Sequence, residues 1–337
     1  MLRGLSPQYS LKFLVPDKCV GYDLSRPPGL RNPGGGIGVK YARVEEASDF
    51  HLCQRASSLD EIEADDIVFA DWLWFLPDKK GETHVDKVKA FVSLPNLKGI
   101  YGSELSVLTW ESQLLKQLIA GTHIITHNTD YQRNLYGILG IYTSRFLCDP
   151  IPESVFSPLS QGRERRLVFM GQISLAKRSN AVIEIFNALK GSGVERCYMG
   201  GRTMWGDYAP TKIESKLHDE IESASDIFME NATQAEVAAV VNGSSFYGHV
   251  SHHDVASSAC QENMMSGSVV FGLSHPVLQE RTPHRFREPL ELANAVRGYE
   301  LDSPQHTADI DNALQVASQW SYQAWNQQLE AILRSVT

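Results

Sequence analysis

Short apolar runs alternate with amphipathic segments along most of the chain, and this alternation starts twice. The apolar runs predict strands at residues 10–16, 66–70, 97–102, 123–126, 166–171, 195–200, 226–229 and 245–250. The amphipathic segments predict helices at residues 39–50, 85–94, 109–120, 131–139, 179–190, 213–223, 234–241, 290–296 and 308–333. Strands that alternate with helices through short connections favour parallel sheets covered by helices on both faces, which is an α/β fold.

A proline-containing stretch separates the two rounds of alternation. Pro150, Pro152 and Pro158 stand among serine and glycine residues, a composition typical of a linker. A chain of 337 residues is also long enough for two domains. We therefore expect one domain at 1–152, a second at 153–315, and a final helical segment at 316–337. A two-domain dehydrogenase fits this outline equally well, so the motifs must distinguish between functions.

The composition is that of an ordinary globular protein. Apolar residues make up 42% and charged residues 21% of the chain, no apolar run has the length of a membrane span, and the N-terminus lacks the apolar stretch of a signal peptide. Five scattered cysteines form no Cys-x-x-Cys pair, which disfavours a zinc site or a disulfide framework. These features predict a cytoplasmic protein with reduced thiols.

The net charge of −9 disfavours a general nucleic-acid binder, but the charge is uneven. Residues 1–150 contain 16 basic and 18 acidic side chains, whereas residues 151–337 contain 15 and 22. The first half can therefore carry a local basic face.

A glycine-rich loop at 33–40, PGGGIGVK, lies between the first predicted strand and the first predicted helix. Its residues Gly35, Gly36 and Gly38 let backbone N–H groups approach a ligand closely, and the following helix N-terminus favours negative charge. A diphosphate fits such a site, and a flexible surface loop is the alternative. The spacing does not match a G-x-G-x-x-G dinucleotide fingerprint, because Val39 stands where a small residue is required.

Two segments of the second half also follow predicted strands. Residues 170–178, MGQISLAKR, place Gly171 and Lys177 just after a strand, where a solvated basic turn is the alternative. Residues 252–271 predict a strand end, a short helix, a glycine turn and a buried strand. Asp254 and Glu262 lie eight positions apart, slightly over two helical turns, so both acids can face one cleft if one helix carries them. The alternative is an amphipathic helix with solvated acids.

These three segments together resemble the donor site of retaining glycosyltransferases with the GT-B fold, in which two Rossmann-like domains face a cleft. The resemblance implies that 1–152 is an acceptor domain and that 153–315 binds a nucleotide-sugar, commonly a UDP-sugar. It also implies that the C-terminal helix, whose residues 320–329 are similar to the final helix of this class, crosses back to the first domain. Core packing explains those aromatic residues as well.

The resemblance also implies roles for single residues. Lys177 would bind the donor diphosphate, with Gln172 where arginine is usual, and Glu262 would accept hydrogen bonds from the ribose. Asp254 would lie near the sugar, where glutamate is usual. The donor-binding residues that the resemblance implies are Gly35, Gly36, Gly38, Gln172, Lys177, Ser257, Glu262 and Gly267.

A narrower resemblance concerns the acceptor. Residues 35–41, 100–108, 124–135 and 266–271 are similar to segments of phage DNA α-glucosyltransferases, which glucosylate 5-hydroxymethylcytosine in duplex DNA. This similarity implies a hydroxymethylated DNA base as acceptor and a host-cytoplasmic phage enzyme. It adds Glu104 to the catalytic site, where the broader resemblance places Asp254, and Glu104 would stabilise positive charge or grip the acceptor hydroxyl. A polar turn residue is the alternative for Glu104.

A DNA acceptor requires phosphate contacts and extrusion of the target base from the stack. The basic residues available for such contacts are Lys79, Lys80, Lys87 and Lys89 in the first half and Arg281, Arg285 and Arg287 in the second. Ordinary surface charge is the alternative for each of them.

The sequence predicts no metal site and no tightly bound cofactor. Its Asp-x-Asp pair, Asp309 and Asp311, lies at the start of the last predicted helix, where acids cap and compensate the helix dipole. Two other functions stay open: transfer to a carbohydrate or lipid-linked acceptor, and a non-catalytic nucleotide- or DNA-binding module on the same fold. The sequence names neither the sugar nor the nucleobase.

Overall fold

The computed structural model describes residues 12–14, 54–56, 67–70, 90–93, 124–127, 129–138, 140, 142–145, 150–159, 162–175, 177–201, 211–230, 232–251 and 257–336. Its elements in the N-terminal half are β1 (Lys12–Leu14), β2 (Gln54–Ala56), β3 (Ile67–Ala70), β4 (Ala90–Ser93), β5 (Ile124–His127), α1 (Asp130–Ile138) and β6 (Ser144–Arg145). Strand β1 pairs with β2, and β3, β4, β5 and β6 form a second sheet in that order. All of these pairs are parallel, as the alternating pattern predicts.

Three elements of this half differ from the prediction, because strands β2 and β6 were not predicted and β4 replaces a predicted helix. Residues 90–93 form strand β4 between β3 and β5, where a helix was expected over 85–94. The spacing of Val85, Val88 and Val92 mimics a helical face, but the short run before Pro95 equally fits a buried strand, and periodicity alone cannot separate the two. The helices predicted at 39–50 and 109–120 and the strand predicted at 97–102 lie outside the described residues.

The C-terminal half contains a six-stranded sheet. Its elements in chain order are β7 (Glu164–Met170), α2 (Ser179–Leu189), β8 (Glu195–Met199), α3 (Lys212–Ala224), β9 (Ile227–Met229), α4 (Gln234–Asn242), β10 (Ser244–His249), α5 (Ser258–Met265), β11 (Val269–Leu273), a 3₁₀ turn (Pro276–Glu280), β12 (Arg285–Phe286), α6 (Pro289–Gly298), α7 (Pro304–Ala317), a second 3₁₀ turn (Ser318–Trp320) and α8 (Tyr322–Val336). All strand pairs are parallel. The strand order β9-β8-β7-β10-β11-β12 is the 3-2-1-4-5-6 order of the Rossmann fold.

Strand β7 shows that this sheet is covered on both faces. Its residues Leu167 and Phe169 belong to an apolar cluster with side chains of α2, α3 and α6, whereas Val168 belongs to a second cluster with side chains of α4, α5 and α7. Successive residues of a strand point to opposite faces, so a strand buried on both sides reads as a continuous apolar run. The three-layer arrangement fixes the strand ends in space.

The C-terminal helix predicted over 308–333 is in fact two helices. Helix α7 begins at Pro304, with Ser303 accepting a hydrogen bond from the backbone N–H of His306, and it ends before the 3₁₀ turn at Ser318–Trp320. Asp309 therefore lies inside α7 and does not cap it. Its carboxylate is buried and accepts hydrogen bonds from the hydroxyl of Tyr299 and the amide of Gln305, with Nε2 of His284 at 2.8 Å.

The predicted linker packs against the C-terminal half. Ile151 and Phe156 are buried in the second apolar cluster, and Ile151 forms a parallel bridge with Ser321. Further contacts join the halves: the Glu280 carboxylate accepts a hydrogen bond from the backbone N–H of Asp130 at 2.8 Å and lies 3.7 Å from Arg145, and the Arg145 side chain donates to Gln319 at 3.1 Å. None of the described helices is both long and apolar enough for a membrane crossing.

Candidate functional site

The strand order identifies a crevice at the carboxyl ends of β7 and β10. In an open parallel sheet, the connections from these two neighbouring strands leave in opposite directions, and ligands bind in the resulting crevice. The chain leaves β7 through Gly171 to Arg178 and leaves β10 through Val250 toward α5. Both segments that the sequence predicts to bind the donor therefore begin at this switch point.

The backbone at the end of β7 is held against the end of β8. Gly171 donates its N–H to the carbonyl of Met199, and Ile173 donates to the carbonyl of Gly201. A Cβ on Gly200, which has φ +156°, would lie 1.8 Å from the carbonyl oxygen of Gly171. A Cβ on Gly171, by contrast, would meet nothing within 4 Å. The β7 end thus has a fixed position and open space above it.

A short basic turn connects β7 to α2. The Ser174 hydroxyl accepts from the N–H of Lys177 at 3.3 Å, and the Ser179 hydroxyl accepts from the N–H of Ser174 at 3.0 Å. Arg178 precedes the helix in the left-handed conformation (φ 53°, ψ 42°), which costs a non-glycine residue about 1–2 kcal/mol. The first turn of α2 contains no acid, and its cap makes no side-chain hydrogen bond. This helix N-terminus is therefore suited to an anion.

Helix α5 carries one of the two predicted acids. It begins at Ser258, and the hydroxyl of the buried Ser257 accepts a hydrogen bond from the N–H of Cys260. Glu262 lies in the second turn and is half-buried. Asp254 precedes the cap and lies outside the described residues, so α5 does not carry both acids, and the role of Asp254 stays a prediction.

A contact between α5 and β7 brings the two predicted segments together. The side-chain amide of the fully buried Asn263 donates to the sulfur of Met170 at 3.1 Å and to the carbonyl of Ala259 at 2.8 Å. Because Met170 is the last residue of β7 and Asn263 adjoins Glu262, the Glu262 turn lies beside the start of the basic turn. Asn263 was not predicted from the sequence, because nothing there distinguishes it from other polar helix residues.

Gly267 lies at the opposite end of the sheet, near the amino end of β7. It follows α5 with φ +75°, and the N–H groups of Gly267 and Ser268 bond to the carbonyls of Met264 and Asn263, which is the Schellman helix ending. The Gly267 carbonyl accepts from Arg163, a residue just before β7. The assignment of Gly267 to the donor site is therefore wrong, because α5 runs away from the switch point and carries Gly267 with it. A glycine is required at this position by the helix ending.

Arg281 is not a surface residue. It is 3% exposed, donates to the carbonyl of Ser257 at 3.3 Å, and lies over the ring of Trp320. Its assignment as a DNA-phosphate contact is therefore wrong, because a buried guanidinium cannot meet a DNA backbone. Arg285 and Arg287 are exposed and stay predicted contacts. The other predicted site residues, Gly35, Gly36, Gly38, Lys79, Lys80 and Glu104, lie outside the described part of the chain, as do Lys87 and Lys89.

Two histidines add chemistry that the sequence analysis did not assign. His127 ends β5 and is buried, with Nδ1 2.8 Å from the Thr143 hydroxyl. Burial, and then the positive charges of Arg145 and Arg133, lower the pKa of His127, which keeps its ring neutral at pH 7. His218 on α3 has ligand atoms within 4.8 Å of those of Asp219 and Glu222, and both acids are exposed, as acidic groups at a protein surface commonly are.

Comparison with known proteins supports the fold. No protein-family model and no curated protein matches the sequence. Among solved structures, a UDP-forming α,α-trehalose-phosphate synthase from Burkholderia xenovorans aligns with a TM-score of 0.61 and 12% identity over 93% of this chain and 83% of that one. Sucrose-phosphate synthase from Thermosynechococcus elongatus aligns with a TM-score of 0.59 and 12% identity over 80% of this chain and 73% of that one.

A third similar structure contains a nucleotide. Anabaena HepE in complex with UDP aligns with a TM-score of 0.58 and 16% identity over 73% of this chain and 72% of that one. At such low identity these matches concern architecture alone. The chain therefore has the α/β GT-B fold that its sequence predicts.

Proposed function

We propose that the protein is a retaining glycosyltransferase that moves a sugar from a nucleotide-sugar to a hydroxyl group. The observation that carries this proposal is the junction at the switch point, where Asn263 ties the Glu262 turn to the end of β7. The basic turn and the N-terminus of α2, which has no side-chain cap, supply positive charge there, and Glu262 supplies an acceptor for ribose hydroxyls. In this proposal residues 1–152 bind the acceptor, residues 153–315 bind the donor, and the C-terminal helix returns to the first domain.

The proposed step breaks the bond between the anomeric carbon and the diphosphate and forms a bond to the acceptor oxygen on the same face. A donor phosphate oxygen takes the acceptor proton, and the nucleoside diphosphate leaves. Lys177 and the N-terminus of α2 stabilise the negative charge that develops on the leaving diphosphate. Glu104 and Asp254 lie near the sugar, where a carboxylate stabilises the oxocarbenium-like transition state.

We propose UDP as the nucleotide of the donor. HepE, a structure similar to this chain, was solved with UDP and with UDP-glucose, and the similar trehalose-phosphate synthase is described as UDP-forming. The step as proposed uses no metal ion, because lysine and helix termini can neutralise the diphosphate.

Two acceptor classes remain. The resemblance of residues 100–108 and 124–135 to phage DNA α-glucosyltransferases favours 5-hydroxymethylcytosine in duplex DNA, with Arg285 and Arg287 available as exposed phosphate contacts. Two of the similar structures are synthases of sugar phosphates by their names, which favours a carbohydrate acceptor. The loss of Arg281 from the exposed basic residues weakens the DNA alternative.

The test separates donor from acceptor. Isothermal titration with UDP on the wild type, Lys177→Met and Glu262→Gln measures the donor site. We expect the wild type to bind and both variants to lose at least about tenfold in affinity, because hydrogen bonds to charged groups contribute about 1.5–3 kcal/mol. Arg334→Met, a change of an exposed residue in α8, serves as the charge control and keeps wild-type affinity.

Product analysis then identifies the acceptor. The protein is incubated with a panel of UDP-sugars and one acceptor at a time: hydroxymethylated duplex DNA, unmodified DNA, or free hexoses and hexose phosphates. A glycosylated nucleoside from hydroxymethylated DNA alone, with turnover that falls steeply with salt, supports the DNA acceptor. A disaccharide product supports the carbohydrate acceptor. UDP binding without any product favours the non-catalytic module.

A further inference from the structure

A buried positive charge lies behind the N-terminus of α5. Arg281 follows the first 3₁₀ turn and is 3% exposed. Its Nη1 donates to the Ser257 carbonyl at 3.3 Å, and its guanidinium carbon lies 5.2 Å from the ring centre of Trp320. Its other terminal nitrogen, Nη2, is buried and has no hydrogen-bond partner in the described part of the chain.

This charge has no carboxylate partner among the described residues. Glu280, its chain neighbour, instead accepts the N–H of Asp130 and lies 3.7 Å from Arg145. A buried ion without a counter-ion is costly, and a cation–π contact with one indole and one carbonyl offsets only part of that cost. A residue that contributed only to stability would be better replaced by an apolar side chain of similar volume.

The position of Arg281 adds to the excess of positive charge in this region. Ser257 is the N-cap of α5, and a helix N-terminus carries partial positive charge. Arg281 therefore places a cation against the positive end of a dipole. The basic turn and the N-terminus of α2 lie at the same end of the sheet, so this region combines several positive groups. A multiply charged anion bound nearby would offset the cost of placing these positive groups together.

We propose that Arg281 is a positioning residue for the diphosphate of the donor. It fixes the Ser257 carbonyl, and with it the direction of the first N–H groups of α5, and it raises the positive potential that holds the diphosphate from behind the helix. Arg281 does not itself contact the donor. This inference rests on the proposed function, because it requires a nucleoside diphosphate at the switch point.

The experiment compares charge with packing. Arg281→Met keeps much of the side-chain volume and removes the charge, Arg281→Lys keeps the charge, and Arg334→Met is the control for net charge. Affinities for UDP and for uridine are measured by isothermal titration, and Tm is measured without ligand. The pair of ligands isolates the diphosphate, because uridine has the base and ribose alone.

We expect Arg281→Met to bind UDP roughly tenfold more weakly, the effect of one charge acting over roughly 10 Å at an effective dielectric constant of about 20. Uridine affinity should not change, and Tm should stay the same or rise. Arg281→Lys should recover most of the UDP affinity.

Different failures point to different errors. If neither the wild type nor the Arg334→Met control binds UDP, the proposed function fails, and the inference fails with it. If the wild type binds UDP and Arg281→Met binds it equally well, the inference alone is overturned. It is also overturned if Arg281→Met weakens UDP and uridine equally and lowers Tm, which is the signature of a packing role.

Discussion

Replacing Gly200 by alanine tests whether the close approach of β7 and β8 positions the candidate donor site. The new Cβ would lie 1.8 Å from the Gly171 carbonyl oxygen, whereas real Cβ atoms essentially never lie closer than 3.0 Å to another heavy atom. The atom in the way belongs to the backbone, so no side chain can rotate to make room. Ordinary contacts begin at 3.4 Å, so the two strand ends must separate by about 1.6 Å before this contact becomes an ordinary one.

Two effects follow from that separation. Overpacking costs about 1–3 kcal/mol and a φ that favours glycine costs about 1–3 kcal/mol, so we expect the free energy of unfolding to fall by roughly 2–6 kcal/mol. The shifted Gly171 also carries the basic turn with it, and a displacement of about 1 Å at a catalytic site can lower the rate about 100-fold. Urea unfolding measures the first effect, and the rate of sugar transfer under subsaturating donor measures the second.

Gly191→Ala is the matched control. Gly191 has φ +74°, but a Cβ there meets nothing within 4 Å, and it lies after α2 at the other end of the helix. This variant should lose about 1–2 kcal/mol from conformational strain and keep its activity. If Gly200→Ala retains wild-type kcat/KM, or if Gly191→Ala loses as much activity, the strand-end contact does not position the site.

Three further outcomes are expected. Gly267→Ala should cost about 1–2 kcal/mol in urea unfolding because of its positive φ, with the Arg163 side chain moving aside, and unchanged UDP affinity would agree with its place at the opposite end of the sheet. Burial alone would raise the pKa of Asp309, but hydrogen bonds from Tyr299 and His284 outweigh burial and hold that pKa below its ordinary value. The charged Asp309 therefore stabilises the fold above about pH 4, and this stabilisation is lost as the pH falls through the lower pKa of the native state. Asp309→Asn should thus destabilise by about 2–4 kcal/mol at pH 7 and by progressively less in urea titrations below pH 4; a pH-independent difference would contradict this. Burial raises the pKa of Cys197 to about 12, so peptide-level mass spectrometry should find its thiol unmodified by alkylating reagents until the protein unfolds; rapid labelling of the native protein would contradict the buried placement.

The C-terminal fold follows closely from the sequence because its strands are buried on both faces. Runs such as Leu167–Phe169 are apolar throughout, and the helices between them begin with clear caps, as at Thr211 and Thr233. The four strands predicted from 166 to 250 are each confirmed to within about two residues. Strand β4 was not predicted because its apolar spacing fits a helix as well. Only its pairing with β3 and β5 shows that the segment is a strand.

The site was harder to predict because it depends on contacts between distant segments. Nothing in the sequence shows that Arg281 packs beneath Ser257, so its positive charge suggested a surface contact. Gly267 was misplaced because a glycine near a donor helix suggests backbone access, whereas this one ends the helix. The Asp-x-Asp pair suggested a cap because the start of α7 at Pro304, with its Ser303 cap, was not recognised.

The sheet order also determines how this half of the chain can form during synthesis. Strand β7 pairs with β8 about 30 residues later, but its other neighbour, β10, follows about 80 residues later. At about 5–20 residues per second, one edge of β7 waits roughly 4–16 s for its partner to emerge from the ribosome. Edge strands are templates for pairing with other chains. A ribosome that pauses between residues 200 and 244 therefore holds an apolar central strand with an open edge, and a chaperone bound at that stage should raise the soluble yield.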